Sequence, residues 1–151
     1  MAQTTTLQVS SLAFDNNAPI PRQYSCDGED INPPLRIGNL PERAESLVII
    51  VEDPDAPNGT FTHWMVWDAP PHPSIEENSK PGGTVGRNDF GENNYKGPCP
   101  PSGEEHRYFF KVYALDSKVN LDQDSTREAL MVLVDEKAIG YGELMGTYKK
   151  G

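Results

Sequence analysis

Long apolar runs are missing from this 151-residue chain. None approaches the ~20 residues a helix needs to cross a bilayer. Met1–Ser10 (MAQTTTLQVS) has neither a basic n-region nor an apolar h-region, so a cytoplasmic location is expected. Basic residues are also scarce: 13 Lys and Arg stand against 23 Asp and Glu, for a formal charge of −10, and those present form no cluster. Nucleic acid and stable membrane association are therefore not expected, because both need a basic patch. Only two cysteines occur, Cys26 and Cys99, in no CxxC or Cys/His spacing, which argues against structural zinc. In a cytosolic protein such a pair is expected to stay reduced. The three histidines, His63, His72 and His106, share no local ligand spacing, so neither a metal nor another cofactor is expected. Neither a G-x-S-x-G elbow nor a G-x-x-x-x-G-K-[ST] phosphate loop occurs.

What is present suits one loop-rich domain over residues 1–151, with 36% hydrophobic residues, 13 Gly and 14 Pro. Ser46–Asp53 is a short β-branched run of the kind buried on both faces, and it stops at Asp53-Pro54. Phe61–Asp68 and His106–Asp116 alternate as strands. In the first, Phe61, His63, Met65 and Trp67 fall on one face and Thr62, Trp64, Val66 and Asp68 on the other. Leu7–Phe14 is a weaker strand, and Tyr141–Tyr148 a last one that Gly142 and Gly146 weaken. The one helix follows the capping box Ser125-Thr126-Arg127-Glu128, with Leu130, Leu133, Val134 and Ala138 at helical spacing and Gly140 placed to terminate it. Between Asp68 and His106, residues 69–103 hold seven Pro and six Gly without periodicity, a length that favours a functional loop. Mostly strands with one late helix predicts a β-sandwich.

Asp53, His63 and His106 each fall at or near a strand end on an otherwise apolar face. Groups so withdrawn from water are costly unless they pair with one another or with a ligand. Convergence of the three, with Tyr108 and loop N–H groups as donors, would make a pocket for an anionic oxygen, phosphate or carboxylate. The tract Asp53-Pro54-Asp55 opens like a calcium loop but fails it, since Pro57 occupies a ligand position and Trp64 the place of the closing Glu. Two other classes stay open: a Cys/His hydrolase using Cys99, and a protein-interaction module that uses the Pro-rich loop.

Asp53-Pro54-Asp55-Ala56-Pro57, His63-Trp64, Gly97-Pro98-Cys99-Pro100-Pro101-Ser102-Gly103 and His106-Arg107-Tyr108 together resemble the signature motifs of the phosphatidylethanolamine-binding (Raf kinase inhibitor-like) family, its short prokaryotic branch above all. The likeness runs from Pro33-Pro34-Leu35 to Tyr148. It implies a β-sandwich with a pocket at one end that accepts small anions, in which Asp53 and His63 match the Asp–His pair, Pro57, Pro101, His106 and Tyr108 match further wall positions, and Gly97 belongs to the lining loop. It further implies a ligand-binding or regulatory protein without an assigned reaction. Its partner would be a small anionic ligand or phosphorylated group, with a protein partner and a homodimer both open. Cys99 departs from eukaryotic members, which place a glycine there.

Overall fold

The computed structural model describes residues 4–150. Residues 1–3, part of the segment read above for a leader, and residue 151 lie outside the described residues. β5 (Ser46–Asp53) is buried along its whole length because both of its faces meet a core. It lies antiparallel between β6 (Phe61–Ala69) and β9 (Glu105–Leu115). β10 (Ala138–Lys149) pairs with the other edge of β9 and in turn takes up the short parallel strands β1 (Thr5–Thr6) and β3 (Ala18–Pro19). β8 (Thr84–Val85) closes the β6 edge, giving seven strands. A second sheet of β2 (Gln8–Ser10), β4 (Leu35–Gly38) and β7 (Ser74–Ile75) covers one face.

Two cores follow from the alternation of β5. Leu47, Ile49 and Val51 pack with Val66, Phe110, Val112 and Leu144 against Val9, Leu35, Ile37 and Ile75 of the small sheet. Val48 and Ile50, with Met65, Trp67 and Leu115, pack against Leu130 and Val134 of α1 (Arg127–Lys137). At roughly 1.5–3 kcal/mol per fully buried aliphatic or aromatic side chain, these two layers dominate the stability of the fold. The predicted β-sandwich is therefore present, with the helix as a third layer.

The differences from expectation lie at element ends. Leu7–Phe14 is strand only at Gln8–Ser10 (β2), in the small sheet; Leu7 donates its N–H to the Tyr141 carbonyl of β10 at 2.8 Å, and Phe14 leaves both sheets and packs on Phe110 at 5.7 Å. The helix is capped by Thr126, whose hydroxyl accepts from the Ala129 N–H at 3.1 Å, one residue after the expected Ser125. Gly140 does not end the helix. The chain turns extended at Ala138 and runs directly into β10. Gly142 and Gly146, read as weakening the last strand, sit in the longest one, because the N-terminal segment crosses there. A Cβ at Gly142 would come within 2.3 Å of the Leu7 carbonyl, and one at Gly146 within 2.5 Å of Ile20.

Candidate functional site

The site forms where β5, β6 and β9 end together. Val51 pairs with Trp64 but Glu52 with Thr62, so His63 is an extra residue with no β5 partner, a β-bulge. The bulge breaks the simple alternation expected of this strand. Met65 and Trp67 face α1, whereas His63 turns to the side of Tyr108, 5.4 Å away between ring centroids, and of Phe61 at 5.2 Å. The long loop locks this geometry. Asp89 accepts from the Thr62 N–H at 2.7 Å and returns its own N–H to the Thr62 carbonyl, and the Lys96 carbonyl accepts from His63 Nδ1 at 2.8 Å. Since a carbonyl only accepts, Nδ1 carries the proton, and Nε2 has no partner among the described residues. Burial lowers the pKa of His63, against the opposing pull of the Lys96 carbonyl and the Asp53 charge, so the ring is neutral near neutral pH.

Asp53 pairs with His106 and not with His63, the partner the resemblance implies, because His63 Nδ1 is taken by the Lys96 carbonyl. Asp53 Oδ2 lies 2.7 Å from His106 Nδ1, and Oδ1 accepts the Asp55 N–H at 2.7 Å, an Asx turn that holds the carboxylate in place. His106 Nε2 lies 3.1 Å from Glu104 Oε1. Burial opposes a charge on His106, but bonds from both nitrogens to carboxylates outweigh it and raise the pKa. The two imidazoles are thus pushed in opposite directions within one site. Asp55, read from sequence as a turn residue, also clamps Arg107: it accepts from the Arg107 backbone N–H, Nε and Nη2 at 2.9, 3.0 and 2.8 Å, and these bonds hold its carboxyl at a pKa of about 2. The Tyr108 hydroxyl is buried with no hydrogen-bond partner among the described residues. Burial and the nearby Asp53 charge raise its pKa, though neither Asp53 nor the Cys99 backbone reaches it in bonding geometry.

These side chains line a cleft of about 410 Å³, within the range of small-molecule sites. Of the seven residues singled out from the sequence, six line it: Asp53, Pro57, His63, Pro101, His106 and Tyr108. Gly97 does not. It follows the carbonyl that holds His63 and packs flat on the Tyr24 backbone, where a Cβ would fall 1.9 Å from the Tyr24 carbonyl oxygen, and its N–H bonds Asp30 at 2.7 Å. Its requirement for glycine is therefore a matter of packing. The apolar walls are Ala56, Phe61, Phe90, Pro100 and Pro101, with Phe90 set edge-on to His63 and Phe61. Phe90 projects from a turn built by the buried Asn88, whose side-chain Oδ1 accepts the Phe90 and Glu92 N–H groups at 2.9 and 3.0 Å.

Cys99 also lines the cleft, but it is bonded to Cys26, with Cα atoms 5.4 Å apart, so the expectation of two reduced thiols is corrected. The Pro98 carbonyl accepts the Cys26 N–H at 3.0 Å and thereby brings the two chain segments together. A compartment argument from composition carries no information about that proximity. The bridged sulfur offers no thiolate to a Cys/His hydrolase. Lys150 and Glu104 escaped the sequence reading, and Ser102 entered it only as part of the loop motif. Lys150 lines the cleft only because β10 returns alongside β9, with Lys149 opposite Glu105, a pairing that no local motif announces. A separate groove of about 240 Å³ over Trp64 and Tyr95 gathers Asp30, Asn32 and Lys80 but no histidine.

A two-sheet β protein with a histidine- and tyrosine-lined cleft at the strand ends is the class that fold and site define. Within that class, the chain belongs to the phosphatidylethanolamine-binding protein family, whose profile matches residues 10–149. It is 50% identical over 154 aligned residues to a UPF0098 protein of Pyrococcus horikoshii, covering 96% of this chain and 77% of that one. It is 42% identical over 150 residues to a UPF0098 protein of Chlamydia trachomatis, covering 95% and 99%. Among solved structures it is similar to a phosphatidylethanolamine-binding protein homologue of Chlamydia trachomatis, with a TM-score of 0.91 at 40% identity over 98% of this chain and 100% of that one. It is also similar to an E. coli protein described as a new member of the mammalian family, with a TM-score of 0.88 at 28% identity over 96% and 99%.

Proposed function

We propose that the cleft binds the phosphoryl or carboxylate group of a small molecule, a free head group or a phosphorylated side chain, and that the protein acts by binding, in a regulatory role. The observation that carries this reading is the buried Tyr108 hydroxyl, which lacks a partner in a cleft that also holds the His63 and His106 rings and Lys150. A buried unpartnered donor costs about 1–3 kcal/mol, and a chain that keeps one has a use for it. An anionic oxygen would satisfy it and would lie close to His106.

His63 then links binding to protons. Its Nε2 is a lone-pair acceptor in the free protein, so an entering anion with no hydrogen to offer that nitrogen raises the pKa of the ring until it takes a proton from water. Asp53 and Asp30 favour the charged ring and burial opposes it, so a bound anion tips this balance. Binding is therefore accompanied by proton uptake, and affinity falls as pH rises above the bound-state pKa of the ring. Titrating inorganic phosphate while following the histidine ring signals by NMR, and repeating the binding calorimetry in buffers of different ionisation enthalpy, tests both parts. Expected are shifts at His63 and His106 and a net proton taken up. Unmoved rings at millimolar phosphate would remove the reading. A His63→Gln variant, which can still donate to the Lys96 carbonyl, should bind phosphate about tenfold more weakly, the size of one charge-assisted hydrogen bond.

A further inference from the structure

Building on the anion reading of the cleft, we propose that Lys150 makes it selective for a doubly charged phosphomonoester over a singly charged phosphodiester. The grounds are a census of the charges around the opening. His106 is held between two carboxylates, Asp53 and Glu104. Arg107 is spent on Asp55, and Lys96, behind His63, sits 3.8 Å from Asp30 and 3.7 Å from Glu92. Lys150 alone among the lining residues carries a positive charge with no carboxylate within 4.0 Å among the described residues. The polar contact of its Nζ is the uncharged Cys99 Sγ at 3.9 Å.

The position is built into the fold. Lys149 pairs with Glu105 at the end of the β10–β9 ladder, and the Lys150 carbonyl accepts the Gly103 N–H at 3.5 Å. The Lys150 backbone is thereby tied to the turn that supplies Pro101 and Ser102 to the cleft, and its side chain extends over the disulfide into the same space.

The consequence is electrostatic. The first negative charge of a ligand is met by the Tyr108 hydroxyl and by the His63 ring once it takes a proton at Nε2. A phosphomonoester carries about −1.5 to −2 at pH 7 and a phosphodiester about −1. The extra charge finds no second unneutralised cation except Lys150, in a protein whose formal charge is −10. For unit charges ~4–6 Å apart in a partly solvated site, the attraction amounts to a preference on the order of tenfold.

Methyl phosphate and dimethyl phosphate isolate the charge, since they differ by one methyl group. Both are titrated at about pH 7.5 into the full chain and into Lys150→Gln and Lys150→Arg, with the His63 and His106 signals as readout and thermal unfolding as the check on folding. Expected is a roughly tenfold preference for methyl phosphate in the parent chain, retained in Lys150→Arg. In Lys150→Gln it should fall to about twofold or less, because methyl phosphate loses roughly fivefold more affinity than dimethyl phosphate does. An undiminished preference in a folded Lys150→Gln would overturn the role of Lys150 and leave the anion reading standing. If neither methyl phosphate nor inorganic phosphate moves either histidine in the parent chain, the anion reading itself falls, and the selectivity with it.

Discussion

Tyr108 is where stability and the proposed use of the site pull apart. Its ring is fully buried in the inter-sheet core while its hydroxyl lacks a partner. Tyr108→Phe keeps the packing and removes the unsatisfied group, so it should leave stability unchanged or raise it by about 1 kcal/mol in urea unfolding, while phosphate affinity falls severalfold. A loss of stability with unaltered affinity would mean that the hydroxyl is structural. The two histidines make a second prediction at this scale. His106, with its pKa raised in the fold, contributes stability that is complete below its unfolded value of ~6.5 and lost as pH rises through the folded pKa. His63, with its pKa lowered, contributes stability that is complete above ~6.5 and lost as pH falls towards the folded pKa. Urea midpoints across pH should therefore show His106→Gln flattening the alkaline decline and His63→Gln the acid one; ring titrations by NMR should place His106 above ~6.5 and His63 below it.

Elements decide matters that single residues cannot. Glu52, at the end of β5 on the helix side, is buried and takes Lys111 Nζ of β9 at 2.5 Å and Arg127 Nε of α1 at 2.9 Å. One carboxylate thus ties strand, strand and helix together, and the same β5 end presents Asp53 to the cleft on its opposite face. Glu52→Ala leaves two partly buried cations unpaired and should cost about 3 kcal/mol in chemical denaturation. The frame of the helix gives a finer test. Thr126→Ala should cost about 1 kcal/mol and Ser125→Ala almost nothing; the reverse order would restore the capping frame read from sequence. That one-residue shift arises because Ser125 and Thr126 are equally good caps locally, and the packing of Leu130 and Val134 against β5 and β6 selects between them.

Across the whole molecule, the Cys26–Cys99 bridge joins residues 73 apart and fixes the Pro-rich wall of the cleft to the segment after Tyr24. Loop-closure entropy for a separation of that size is worth about 4 kcal/mol, so a Cys26→Ser, Cys99→Ser double variant should unfold at markedly lower urea and bind phosphate more weakly as the wall loosens. Identical unfolding with and without reductant in the parent chain would argue that the bridge contributes nothing. Among the described residues, no helix is long and apolar enough to cross a membrane.

The central strands, the helix, the sandwich and the gathering of Asp53, His63 and His106 at the strand ends were legible along the chain, though which histidine pairs with Asp53 was not. Apolar periodicity and the cost of burying polar groups are local quantities that can be read along a chain. The sequence by itself could not determine the bulge that turns His63 into the cleft, the bridge at Cys99, or the arrival of Lys150 at the cleft wall. Those depend on register and on which distant segments lie side by side, and only the tertiary structure, by packing β10 against β9 and the long loop against β6, decided them.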